Sequence, residues 1–117
     1  GVQAEQGDYR AAVETYRRVG QDHADNRTLA AAADLARGYA HIQLDEFDEA
    51  RQVFGSLLER GDVPVPRTQI EMEIGSLYER EGKGDEAAAV YRRLGESDPG
   101  GRWGTEAAAR LRILEGV

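Results

Sequence analysis

The side chains in this 117-residue sequence that invite a chemical reading are two histidines, one lysine, three serines and several acidic pairs. His23 and His41 do not stand in the H-x3-H spacing that places two imidazoles on one helix face for zinc, so both read as solvated or packed side chains. Ser56, Ser76 and Ser97 lack the strained strand–turn–helix setting of a hydrolase nucleophile. Asp45-Glu46, Asp48-Glu49 and Asp85-Glu86 fall at helix starts, where a carboxylate meets the positive end of the helix dipole rather than a second carboxylate across a cleft. Arg60-Gly61-Asp62 spells an integrin-binding tripeptide, but Gly61 falls where a helix should stop. Gly82-Lys83-Gly84 is the one phosphate-loop candidate. That chemistry needs G-x-x-x-x-G-K-[ST] after a strand, whereas here glycine follows Lys83 and a helix precedes it. With no cysteine, disulfides and thiolate metal sites are excluded. The expectation is a chain that is not an enzyme, with no catalytic residue, no cofactor and no metal ligand.

The elements that position these residues are helices. Good helix formers dominate, the prolines cluster at Pro64, Pro66 and Pro99, and no stretch alternates like a strand. Helices are predicted over 9–22, 27–44, 46–60, 67–82, 84–96 and 103–115. In the fourth, Ile70, Ile74, Leu77 and Tyr78 form one apolar stripe. Charged residues at 32 % and hydrophobic residues at 40 % are the balance of a soluble globular protein. No apolar run approaches the ~20 residues that cross a bilayer, so no direct membrane insertion by this segment is expected. A net charge of −7 repels phosphate backbones and argues against nucleic acid as a partner.

Three stretches align: GDYRAAVETYRRV from Gly7, DEFDEARQVFGSL from Asp45 and GKGDEAAAVYRRL from Gly82. Each has a turn, an alanine (Ala12, Ala50, Ala87), an aromatic four residues on (Tyr16, Phe54, Tyr91), then Val19, Leu57 or Leu94. The alanines are separated by 38 and then 37 residues, as are the aromatics. A fixed period of this size means stacked supersecondary units. The alanine lets two helix backbones approach, and the aromatic fills the gap one turn on. Gly82-Lys83-Gly84 therefore takes the place of the tight turn between paired helices.

This pattern resembles the tetratricopeptide repeat, which runs L-G-x2-Y, then A-x3-F, then P. Ile74-Gly75, Tyr78, Ala87, Tyr91 and Pro99 match it in step. The preceding repeat supplies Gly38, Ala50 and Phe54, with Arg37 and His41 where an aliphatic and an aromatic are expected. A two-residue slip that makes Leu35 and Tyr39 the core pair is the alternative register. The resemblance implies an all-α fold, a right-handed α-solenoid of helix–turn–helix repeats forming a single domain over 1–117. Its parts are a partial first repeat (1–26), a second (27–63), a third (64–101) and a C-terminal capping helix (102–117). Gly1 to Gln6 read as the end of the first repeat's first helix, and the chain as a fragment of a longer protein. The cap is expected to pack through Trp103, Ala107, Leu111 and Leu114.

Such repeats expose a concave face lined by the first helix of each pair. Here it is expected to present Leu35, Tyr39 and Ile42, then Met72, Ser76 and Glu79, then residues near Trp103 and Glu106, to a protein or peptide partner. The lysine–asparagine carboxylate clamp of chaperone-type members cannot be assembled from Lys83 and Asn26 alone. The expected function is a non-catalytic interaction scaffold. The alternatives are a homo-oligomer formed through the open first repeat, and an accessory part of a larger enzyme or regulator. The long polar linkers HADNRT and GDVPVPRT and the closing segment SDPGGRWGTEAAARLRIL are similar to repeats of bacterial envelope proteins. Those are the outer-membrane assembly lipoproteins, the Tol–Pal accessory protein and the accessory protein of the secretion translocon. That resemblance implies a bacterial protein, on the periplasmic side rather than in the cytoplasm.

Overall fold

The computed structural model describes residues 2–116, with side chains over 5–116. The described residues hold six helices and no strand: α1 (Val2–Asp22), α2 (Arg27–Gln43), α3 (Phe47–Arg60), α4 (Arg67–Arg80), α5 (Gly84–Ser97) and α6 (Arg102–Glu115). They group into two compact units that divide between Pro64 and Val65, in the Pro-rich linker. In the first, α2 packs against both α1 and α3; in the second, α5 packs against both α4 and α6, and α4 also touches α6.

The α2–α3 hairpin of the first unit and the α4–α5 hairpin of the second repeat at a shift of 37 residues, from Gly38, Asp45, Ala50 and Phe54 to Gly75, Gly82, Ala87 and Tyr91. In the turns, the Glu46 N–H donates to His41 O at 2.9 Å and the Lys83 N–H to Tyr78 O at 2.8 Å. Both turns need a left-handed residue just before that donor: Gly82 has φ 77°, and Asp45 takes the same place with φ 57°. Glycine pays no steric penalty there, and aspartate is among the few other residues that tolerate the region. Gly82-Lys83-Gly84 is thus a hairpin turn, as the repeat required.

The repeat positions are tightly packed. Ala50, Ala87, Phe54, Tyr91 and Leu57 are 0 % exposed and Leu94 1 %. Opposite each aromatic ring stands a glycine of the partner helix. A methyl group at Gly38 would lie 2.6 Å from Phe54 Cε1, and one at Gly75 2.5 Å from Tyr91 Cε1. The Gly38–Phe54 contact fixes α2 in the unslipped register, in step with Gly75–Tyr91. Leu35 and Tyr39 are half-buried rather than a sealed core pair, with the Tyr39 ring edge-on to Phe54 at 5.3 Å between centroids. His41 is therefore the residue at the buried aromatic position, 7 % exposed.

The ends follow local chemistry. Asn26 caps α2, its side chain accepting the Leu29 N–H at 3.1 Å. Pro66 precedes α4, where a missing donor is harmless. Gly61, at φ 81°, stops α3. Its neighbours are held within the unit, Asp62 by Arg27 at 2.6 Å and Arg60 by Asp34, which disposes of the integrin reading.

Two expectations are corrected. The turn at Gly7-Asp8 is absent, because α1 runs unbroken through it. A methyl at Gly7 would meet nothing within 4 Å, so no neighbouring helix forces a break, and continuing the ladder costs only the ~1 kcal/mol of a helical glycine. In α6, Trp103 and Leu111 pack on the cluster of Met72, Ala87, Tyr91, Leu94 and Ala107, but Leu114 is 36 % exposed. It lies in the last turn, past the stretch that meets the cluster.

Candidate partner-binding groove

In the second unit, α4 and α6 flank a groove of about 410 Å³ over the buried ring of Tyr91. Met72, Glu73 and Ser76 come from α4, at i, i+1 and i+4. Trp103, Glu106 and Arg110 come from α6, at i, i+3 and i+7, the spacing that puts side chains on one helix face. Arg102 closes one end, its guanidinium 4.6 Å from the Trp103 ring centroid, a cation–π contact.

One ion pair ties the two walls together. Arg110 Nε and Nη2 donate to Glu79 Oε1 at 3.2 and 3.1 Å, and Nη2 also reaches Oε2 at 3.1 Å. The Tyr91 hydroxyl donates to the same Glu79 Oε1 at 2.5 Å. Burial, reinforced by the Glu79 carboxylate it bonds, pushes the Tyr91 phenol far above its ordinary value, so it stays a donor. The Glu79 hydrogen bonds also raise the Arg110 pKa. Glu73 differs: burial pushes its carboxyl above the usual carboxylate range, with Arg80 two turns along the same helix working in the opposite direction.

Of the residues expected on a concave face, Met72 and Ser76 line this groove together with Trp103 and Glu106. Glu79 stands beside them with its carboxylate committed to Tyr91 and Arg110. Leu35, Tyr39 and Ile42 belong to the first unit. Ile42 is 8 % exposed and part of the core, contrary to its expected surface place: it is buried together with Gly38, Ala40 and His41. Tyr39 instead lines an apolar groove of about 430 Å³ with Tyr9, Ala12 and Tyr16 of α1.

Sequence reasoning missed Glu73, Arg102 and Arg110 as groove residues. The available signal was the α6 spacing from Trp103 to Arg110, together with an acidic residue, Glu79, on the helix expected to face it. It also missed how a histidine fits a buried aromatic position. His41 Nδ1 lies 2.9 Å from Glu46 Oε1, and the Glu46 carboxylate also accepts two Arg10 bonds, at 3.1 and 2.8 Å. The Arg10 guanidinium, seconded by His41, holds the Glu46 carboxyl below its usual range, against the opposing effect of burial.

Among the described residues, no three His, Cys, Asp or Glu side chains converge as a metal site. No helix there is long and apolar enough to cross a membrane. A tetratricopeptide repeat family model matches residues 2–62 and again 35–102. No curated protein and no solved structure matches the chain at a significant level.

Proposed function

The chain belongs to the tetratricopeptide repeat family, and on that premise we propose that it is a non-catalytic module that holds a protein partner in the α4–α6 groove. Repeats of this family generally mediate protein–protein contacts and are generally non-catalytic. The observation that carries the reading is the groove's make-up: apolar Met72, Tyr91 and Trp103 at its base, with Ser76, Arg102 and Glu106 around them. Interfaces draw their affinity from such a combination, a few aromatic and apolar anchors ringed by polar groups that exclude water. The test places a photo-crosslinking amino acid at Ser76 and returns the protein to its source cells. A defined protein adduct is expected, and Trp103→Ala, once shown folded by circular dichroism, should remove it. No adduct, or one that survives Trp103→Ala, overturns the proposal.

The same proposal assigns the module to the soluble, periplasmic part of a bacterial envelope protein. Supporting this are the polar linkers at 23–28 and 61–68, the closing segment 97–114, and the use of arginine at every cationic position except Lys83. Recovery of the native protein in the cytosolic fraction of the source cells would refute it. A second reading, self-association, rests on the apolar groove that carries Tyr9, which is 38 % exposed, beside Tyr16 and Tyr39. It requires a sedimentation coefficient that rises with protein concentration and falls back with Tyr9→Ser.

A further inference from the structure

The charges around the α4–α6 groove are not equally committed. Arg110 is held by Glu79, and Arg102 lies in solvent over one face of Trp103. Glu106 is exposed. Glu73 is the exception: half-buried on α4, it makes no hydrogen bond or ion pair with any described residue. A carboxylate taken partly out of water without a partner disfavours its own ionised form, in agreement with its raised pKa. Structural ion pairs in this unit, such as Glu79–Arg110, satisfy their carboxylates internally, whereas Glu73 is a half-buried groove carboxylate outside any such pair. Around it stand the hydroxyl of Ser76, the thioether of Met72 and the indole of Trp103. That is the environment of a long cationic side chain, whose methylene stem packs on apolar surface while its head meets an anion.

Resting on the reading of this groove as the partner site, we propose that its occupant is an arginine or lysine side chain of a basic segment in the partner protein. Glu73 accepts the cationic head, Ser76 offers a second acceptor, and Met72 and Trp103 hold the stem. Arginine fits better than lysine, because its planar fork can use both carboxylate oxygens and its face can stack on the indole. The net charge of −7 draws a basic segment towards the molecule and favours its encounter.

The probe is a display library of random, terminally blocked dodecapeptides, selected on the intact chain. Affinities of the recovered peptides are read from the fluorescence of Trp103, the one tryptophan. The expected result is enrichment of arginine and lysine among the binders. Replacing the enriched arginine with citrulline should weaken binding at least tenfold, and Glu73→Gln should weaken the arginine peptide as much while leaving the citrulline peptide unchanged. Glu73→Gln keeps the side-chain shape and removes an unpartnered charge, so a melting temperature no lower than that of the wild type verifies folding. Apolar or acidic binders that are lost with Trp103→Ala would overturn the cationic occupant and leave the groove reading standing. Basic binders equally tight on Glu73→Gln would also overturn it. A selection that yields no binder sensitive to Trp103→Ala overturns both.

Discussion

Substituting Gly75 by alanine tests the packing logic of the repeat at its tightest point. In an exposed helix the change is stabilising, because alanine surpasses glycine by about 1 kcal/mol in helix propensity. Here the new methyl would lie 2.5 Å from Tyr91 Cε1, 3.0 Å from Cδ1 and 3.1 Å from Cζ. The ring is 0 % exposed and its hydroxyl is bonded to Glu79, so it cannot yield without breaking that bond or moving α5. Overpacking of this kind costs about 1–3 kcal/mol, and loss of the Tyr91–Glu79 bond adds roughly 1 kcal/mol. Set against the propensity gain, the net destabilisation is about 1–3 kcal/mol. Gly55 is the control: it lies inside α3, where a methyl meets nothing within 4 Å, and Gly55→Ala should stabilise by up to ~1 kcal/mol. The assay is urea unfolding read by Trp103 fluorescence for the second unit and by circular dichroism for the whole chain, because two units need not unfold together. With urea slopes of about 1–3 kcal/mol per molar, the Gly75→Ala midpoint should fall by up to ~1 M or more. Tyr91→Leu should cost less in the Gly75→Ala background than alone, since the clash disappears with the ring. A Gly75→Ala midpoint at or above that of the wild type would refute the argument.

Ala87→Leu should likewise destabilise by about 1–3 kcal/mol, because Ala87 is fully enclosed where α4 and α5 meet; an unchanged melting curve would contradict the repeat packing. Glu46 and Glu73 should titrate stability in opposite senses. Glu46 has a lowered folded-state pKa, so its contribution is present above the ordinary carboxylate range and is lost as the pH falls through the folded value. Glu46→Gln should therefore be less stable than wild type at neutral pH, with the two converging in acid. Glu73 has a raised folded-state pKa, so the stability linked to it is fully present below the unfolded value and declines as the pH rises through the folded one. It is faced by Tyr91 from α5, by Arg102, Glu106 and Arg110 from α6, and by Arg80 on its own helix. Glu73→Gln should remove that decline; parallel wild-type and variant profiles across pH 4–7 would contradict the assignment.

Much of the fold was legible because its determinants are local and repeated. Ala50 and Ala87, Phe54 and Tyr91, Gly61, Pro66 and the Gly82 turn each announce their role by residue type and spacing. The places where sequence reasoning faltered are those where a contact between distant residues decides the outcome. Gly7 carries the residue type of a turn, but a glycine breaks a helix only when something gains from the break, and nothing packs there. Ile42 follows the register of a surface residue, yet it is buried together with Gly38, Ala40 and His41. The groove's polar members were hidden for the same reason: Arg110 lies 31 residues from Glu79 in sequence, and the burial of Glu73 shows only once α6 is packed beside α4.

His41 shows how a departure from the repeat pattern is absorbed. Its counterpart in the other hairpin is Tyr78, and the residue five positions on is Glu46 in one hairpin and Lys83 in the other. The turn geometry is the same in both, since the N–H of that residue returns to the carbonyl five positions back. The backbone therefore brings Glu46 to His41 whatever the side chains are, and the carboxylate then supplies the imidazole with a partner at 2.9 Å. A lysine at 46 would instead set a second donor beside the ring and leave the buried imidazole without an acceptor, an arrangement that costs about 1–3 kcal/mol. Histidine at this buried position is thus tied to an acidic residue in the turn, and Arg10 on α1 extends the pair into the neighbouring helix. In the second unit Tyr78 removes that requirement, and the turn carries Lys83 instead of an acidic residue. Glu79 fastens α6, and Glu73 is left facing the groove.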